Sequence, residues 1–455
     1  MTRATIAGGA FATVLALLAV AVGYRFLLKN GHPAAATSAA MTSSTTPGPT
    51  NTHPEAETHQ GFLFGRITAI DGATYVGRLR WGGNEEAFWG DTFNGVKDRN
   101  PWAAQVPPER LPRQSHSIEI FGFEIARWGT PNELDRRFMA RFGDIARIEA
   151  NGRDVRVTLK SGTAVDLDRF EASDLDDGVR VWDDTRGVVD LDSLQIRSIE
   201  LFPAPLAGPA PYRLHGTVRT RQGDFSGFVQ WDREECVGTD TLDGRTAEGE
   251  QSLRFDTIRS IARRSPDGSL VTLLDGRELV LSGTNDVGRG NRGVYVNDRR
   301  YGRVLIPWDA FERADFGPGG GGPAYGEFPP GRPLMGTVTT RAGARFTGRL
   351  VYDLDESETT ETFDAPSGGV DYTIPFGLIA SIVPGREDDA ARRARVTLHS
   401  GEELLFEPAG DLGERNAGVL IFVEGRQRPE YVRWSEVERI DFERAEAMYP
   451  PPGGR

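Results

Sequence analysis

Three observations predict an all-β fold. A glycine-aromatic hairpin signature recurs three times, apolar residues alternate on both sides of tight turns, and the chain holds 55 glycines and 28 prolines in 455 residues. The signature reads Gly65, Gly72, Tyr75, Gly77, Leu79 and Trp81. It returns as Gly216, Gly223, Phe225, Gly227, Val229 and Trp231, and again as Gly336, Gly343, Phe346, Gly348, Leu350 and Tyr352. Repetition at this scale implies an array, and each unit has to be read against the other two before any local motif is trusted. Hydrophobic content of 38% with 26% charged residues suits a soluble, turn-rich body rather than a helical bundle.

Residues 1–30 form the first segment. Ile6 to Tyr24 is almost wholly apolar, with Arg3 before it and Arg25 and Lys29 after it, close to the ~20 residues that cross a bilayer as a helix. A single N-terminal transmembrane helix through residues 6–24 is expected. A cleaved signal peptide is the second reading, with Ala34 to Ala36 as the processing site. Residues 31–60, rich in Ala, Ser, Thr and Pro, read as a disordered stalk of the kind that follows export signals. The flanking charges lean toward a cytoplasmic body, but large domains translocate largely regardless of charge, so the body is expected to be exported, periplasmic or extracellular.

Unit one spans residues 61–202 and carries an insertion at 96–137, where Pro101, Pro107, Pro108, Pro112 and Pro131 surround a strand-like run, Ile118 to Ile125. Unit two spans 212–316 and unit three 334–442, with a Gly/Pro linker at 317–333 and a disordered tail at 443–455. Each unit divides into two similar halves. The first half ends on apolar residues three apart, Phe142, Ile145 and Ile148; Phe255, Ile258 and Ile261; Phe376, Ile379 and Ile382. That spacing fits one helical turn ahead of a last strand. Units two and three, each with a full set of core positions, are expected to fold alone.

A bent hairpin, further strands and a short helical turn before the last strand resemble the SH3-like or Sm-like small β-barrel. The resemblance covers nearly all of Gly65 to Phe442 and implies three tandem units of two small barrels each. It also implies binding or assembly modules more than catalysts, although a fold does not carry its ligand with it.

A net charge of -13 argues against nucleic acid, whose affinity for proteins draws on clustered Lys and Arg. The single cysteine, Cys236, precludes an intrachain disulfide. His116, His215 and His399 are scattered through the body, which offers no histidine pair for a metal and no Ser-His arrangement. Gly319 to Gly322 lack the Gly-Lys-Ser/Thr ending of a phosphate-binding loop. Nothing in the sequence calls for a cofactor.

The sharpest local pattern follows the second strand of each unit, where Glu86, Asp91 and Asn94 correspond to Glu235, Asp240 and Asp243, and to Glu356, Glu361 and Asp364. Hard oxygen donors of this kind suit Ca²⁺, but the spacings match no EF-hand loop, and side-chain-to-backbone turns explain them more simply. A second pattern, Asp174 before Gly178, Asp286 with Asn291 before Gly293, and Asp411 with Asn416 before Gly418, reads the same way. Trp89 and Trp102 add aromatic faces to unit one that suit a sugar.

The three acidic triplets with Trp89 and Trp102 are the candidate ligand-binding set of an expected non-enzymatic, membrane-anchored scaffold whose partner is a protein or glycan of the cell envelope. The alternative is a polysaccharide-acting hydrolase that uses a carboxylate pair in unit one. A reporter enzyme fused after Gln60 is expected to be active only outside the cytoplasm, and cytoplasmic activity would overturn the exported topology.

Overall fold

The computed structural model describes residues 59–82, 85–97, 99–111, 116–120, 123–128, 136–169, 172–205, 212–318, 322–385 and 392–444. The apolar N-terminal segment, the stalk up to residue 58 and the tail after residue 444 lie outside them. Among the described residues no helix is long and apolar enough to cross a membrane.

The body is all-β. Unit one contains strands β1 (Phe64–Ala69), β2 (Thr74–Trp81), β3 (Thr92–Lys97), β4 (His116–Ile120), β5 (Phe123–Trp128), β6 (Arg136–Arg141), β7 (Ile145–Asn151), β8 (Asp154–Leu159), β9 (Ala164–Asp168), β10 (Val179–Asp183), β11 (Gly187–Leu191) and β12 (Ile196–Leu201). Unit two contains β13 (His215–Thr220), β14 (Gly223–Gln230), β15 (Thr241–Thr246), β16 (Gly249–Arg254), β17 (Ile258–Ser265), β18 (Gly268–Leu273), β19 (Glu278–Ser282), β20 (Val294–Asp298), β21 (Gly302–Ile306) and β22 (Phe311–Phe316). Unit three contains β23 (Met335–Thr340), β24 (Arg345–Tyr352), β25 (Thr362–Ser367), β26 (Val370–Pro375), β27 (Ile379–Val383), β28 (Ala394–Leu398), β29 (Glu403–Phe406), β30 (Val419–Phe422), β31 (Glu430–Val432) and β32 (Val437–Phe442).

The two halves of a unit do not keep their strands to themselves. In unit one the sheet runs β11-β10-β2-β1-β12-β7-β8-β9-β3-β6. The first hairpin, β1-β2, therefore pairs with β10 and β12 of the second half. The second half's first hairpin, β8-β9, reaches β3 of the first half through Leu167 and Lys97. Two five-stranded groups result, β12-β1-β2-β10-β11 and β7-β8-β9-β3-β6, joined where β12 pairs with β7. Unit two repeats the order as β22-β13-β14-β20-β21 and β17-β18-β19-β15-β16.

The repeated glycines mark the close approaches in this exchange. A Cβ on Gly77 would lie 1.9 Å from the Trp182 carbonyl oxygen, one on Gly227 2.1 Å from that of Asn297, and one on Gly348 2.2 Å from that of Phe422. No side chain fits where two backbones come so near. The apolar triplets behave as their spacing predicts. Phe142–Asp144, Phe255–Thr257 and Phe376–Leu378 are single 3₁₀ turns leading directly into β7, β17 and β27, with Phe142, Phe255 and Phe376 in the core.

The units are less separate than their boundaries suggest. Arg303, Val304 and Leu305 of β21 pair with Thr373, Tyr372 and Asp371 of β26, so a hairpin of unit three extends the sheet of unit two. One apolar core runs through both, from Trp231 to Phe442. The expectation that each folds alone thus meets a shared ladder and a shared core.

The insertion of unit one reaches unit three, where Ala103, Val106 and Leu111 pack with Val351, Leu354, Leu420 and Tyr431, while Asn100 donates to the Leu354 carbonyl. The linker is partly a strap. Tyr325 and Phe328 are buried in the core of unit one, Phe328 lies against Gly143, and the Lys160 ammonium donates to the carbonyls of both residues.

Replacing Phe328 with Ala removes a ring from a closed site and is expected to cost about 3 kcal/mol. Urea denaturation of the full-length protein measures this. A loss under about 0.5 kcal/mol, the range of neutral surface changes, would show that the strap merely lies on unit one.

Candidate functional site

The two acidic patterns meet in space. In every unit the Asp of the later half brackets the first half. Its carboxylate accepts the backbone N–H of the third strand, Asn94 to Asp174 at 2.6 Å, Asp243 to Asp286 at 2.7 Å and Asp364 to Asp411 at 2.6 Å. Its carbonyl accepts from the aromatic residue that ends the second strand, Trp81 at 2.6 Å, Trp231 at 2.9 Å and Tyr352 at 2.8 Å. Asn291 and Asn416 add a second donor to the same carbonyls in units two and three. These residues act on backbone groups, as the turn reading expects.

The middle acid of each triplet does the same. Asp91 accepts the N–H groups of Glu86 and Ala87, Asp240 those of Cys236 and Val237, and Glu361 those of Ser357 and Glu358. Asp243 makes its bond through its backbone N–H, with Asp286 as the acceptor.

The first acid is out of register in unit one. Trp81, Trp231 and Tyr352 exchange backbone hydrogen bonds with Glu85, Glu235 and Glu356, so Glu85 is the equivalent residue and Glu86 is not. Unit one holds one more residue between this position and Asp91 than the other units hold, which misaligns the letters. Glu86 is buried against Arg80, Nη1 to Oε1 at 2.5 Å.

Glu85, Glu235 and Glu356 share an unfavourable setting. Burial and then Asp91 and Asp174 push Glu85 up to about 9. Burial and then Asp286 push Glu235 up to about 8. Glu356 is raised well above the ordinary carboxylate range by burial and by Asp355, Asp411 and Asp353. Glu85 and Glu235 are held neutral at pH 7, because desolvation and like charges both penalise the ionised form, and the same two causes favour the protonated form of Glu356.

The three units converge on one cavity of about 890 Å³. Unit one contributes Asn94 to Lys97 of β3 and Arg136 to Met139 of β6, unit two Tyr295 and Arg303, and unit three the β25-β26 hairpin with the turns before and after it. Of the candidates, Asn94, Glu356, Glu361 and Asp364 line it; Glu86, Asp91, Glu235, Asp240 and Asp243 do not. Seven carboxyl side chains and four cationic ones face the space. Lys97 lies 2.6 Å from Asp355 and 3.2 Å from Glu361. Burial alone would pull its ammonium down, but Asp355, Glu361 and, more weakly, Glu356 outweigh it and keep the lysine charged. Arg136 grips Asp353 at 3.2 Å. Asp353 holds a left-handed backbone conformation at φ 50°, a place where unit one has glycine at Gly82.

Trp89 and Trp102 pack against other segments, the first buried and the second half-buried. Trp89 is buried beside Phe328 with Arg141 over its ring, and Trp102 meets Phe422 edge-on with Arg349 over it. Both rings serve contacts between distant segments. Sequence reasoning missed Arg136, Arg137 and Arg303, because nothing local marks an arginine as facing a junction of three units. Lys97 had one signal, its rarity in a chain with three lysines. Among the described residues no group of three or more His, Cys, Asp or Glu side chains is placed to hold a metal ion.

The raised acids give stability a definite pH slope. A carboxyl whose folded pKa lies above its unfolded value binds its proton in the native state, so its contribution is full below the unfolded range and is lost as pH rises through the folded value. For Glu235 the window runs from the ordinary range near pH 4.5 to about 8. Glu235→Gln is therefore expected to be more stable than wild type at pH 8 by roughly 2 kcal/mol, allowing for partial solvent access, and to converge with it at acid pH. Denaturation curves at both pH values measure this, and a less stable variant at pH 8 would refute the assignment. No family model, curated protein or solved structure matches the chain.

Proposed function

We propose that this chain is a non-enzymatic binding or scaffold protein, membrane-anchored through residues 6–24 with its body exported, and that it engages a protein or glycan of the cell envelope. The reading is carried by the convergence of three similar units on a single polar cavity of about 890 Å³, a volume usual for ligand sites. An array that pools its surfaces in this way concentrates recognition at one place.

The strand order supports the small-barrel reading. In the first five-stranded group of unit one the closing strand β12 follows a 3₁₀ turn and lies beside the first strand β1, as in SH3-like or Sm-like barrels; in the second group β7 follows such a turn and pairs with the strand after it, β8. The net charge of -13 continues to argue against nucleic acid as the partner.

One observation favours the hydrolase reading. The cavity holds unpaired carboxyl groups, Glu356 and Asp411, although in unit three instead of unit one. Incubating the full-length protein in mild detergent with peptidoglycan fragments and envelope oligosaccharides separates the two. A saturable rise in melting temperature with no new product by mass spectrometry supports binding, and cleaved product would overturn it in favour of hydrolysis. No rise with any glycan, together with no discrete crosslink from a photoreactive residue at Met139 in native membranes, would remove the binding reading.

A further inference from the structure

The charges around the cavity are not evenly matched. The Lys97 ammonium is shared by Asp355 and Glu361, and Arg136 is held by Asp353. Arg137 and Arg303 both exert their attraction on Asp364, whose Oδ1 also accepts the Thr373 hydroxyl at 2.5 Å. Arg303 is further committed to Thr92 and Gln230 and lies over the Tyr295 ring. Of the three other carboxyl groups in the lining, Asp371 is drawn to Arg233, which leaves two. Among the described residues Glu356 makes no side-chain hydrogen bond and no ion pair, and the Lys97 charge acts on it only from a distance; its Oε2 is closed to solvent and unpartnered, while the residue lines the cavity. Asp411 accepts the Asp364 N–H at 2.6 Å and, among the described residues, has no ion pair either.

These two groups also oppose each other. Burial raises Asp411, and so do Asp364, Asp353 and Asp355, while Asp411 is among the charges that raise Glu356. An enclosed carboxyl with no donor is costly to leave alone, and the protein supplies it with none.

We propose that the cavity binds a small organic cation, a primary amine or polyamine, with its ammonium seated between Glu356 and Asp411. This deepens the binding reading given above and rests on it. An ammonium brings three donors on one positive centre, which suits two spaced carboxyl groups and offsets their repulsion. A bare metal ion fits poorly, since among the described residues no three such ligands converge and the space is far larger than one ion needs. Entry of the cation ionises Glu356, so binding releases a proton to solvent.

The test is calorimetric titration of the full-length protein in mild detergent with putrescine and spermidine, run in phosphate and in MOPS at pH 7. Succinate and inositol serve as the anionic and neutral comparisons. Saturable amine binding is expected, with a heat that differs between the two buffers in the direction of proton release. It should weaken at least tenfold in both Glu356→Gln and Asp411→Asn. Thermal melting of each variant checks that it folds, and Glu356→Gln is expected to melt at or above wild type. No saturable binding of either amine, or equal affinity in wild type and both variants, overturns the proposal. Binding of succinate or inositol in place of the amines overturns the cationic assignment while leaving the cavity as a binding site.

Discussion

The body depends on one small arrangement made three times, the bracket formed by Asp174, Asp286 and Asp411. Asp174 and Asp286 stand on the segments that carry the chain from one five-stranded group to the other, between β9 and β10 and between β19 and β20, and Asp411 stands between β29 and β30. The segment from β2 to β3 makes the opposite crossing. Asp174 holds both, by its carbonyl to Trp81 at the end of β2 and by its carboxylate to the Asn94 amide in β3. A hydrogen bond of this kind contributes about 1 kcal/mol net, but leaving a buried partner without it costs about 1–3 kcal/mol. Two crossings side by side would otherwise bury several such groups unmet.

That arrangement carries an electrostatic cost. Carboxylates grouped around the bracket repel one another, and this repulsion adds to burial in favouring the protonated form of Glu85, Glu235 and Glu356. Between units one and two Arg80 reaches across to Asp240 at 3.4 Å. In unit three the acids face outward to the other two units, where Lys97 and Arg136 meet them. The buried ion pairs add little stability, since desolvation offsets most of the attraction. They do fix how unit one sits on unit three.

The repeat was legible in the sequence because its letters answer to backbone geometry. Gly77, Gly227 and Gly348 admit a neighbouring carbonyl, and Phe142, Phe255 and Phe376 each open a 3₁₀ turn into the core. The exchange of hairpins was not legible, since a strand's pattern of burial is the same whichever neighbour it pairs with. Tyr325 and Phe328 were hidden by the glycine and proline around them, and a single extra residue before Asp91 shifted Glu86 into the place of Glu85. Of the candidate site, the bracket acids were readable as turns, whereas the cavity depends on side chains from three units that share no local motif.

The exchange of hairpins has a kinetic meaning as well. Trp81 of β2 pairs with Val179 of β10, so the first hairpin of a unit waits for almost the whole unit to be synthesised before it meets its neighbour. Contacts so distant along the chain close slowly, because loop entropy is lost before the pairing gives anything back. A chain of this topology stays open during synthesis, and its first hairpins are the last to find all their neighbours.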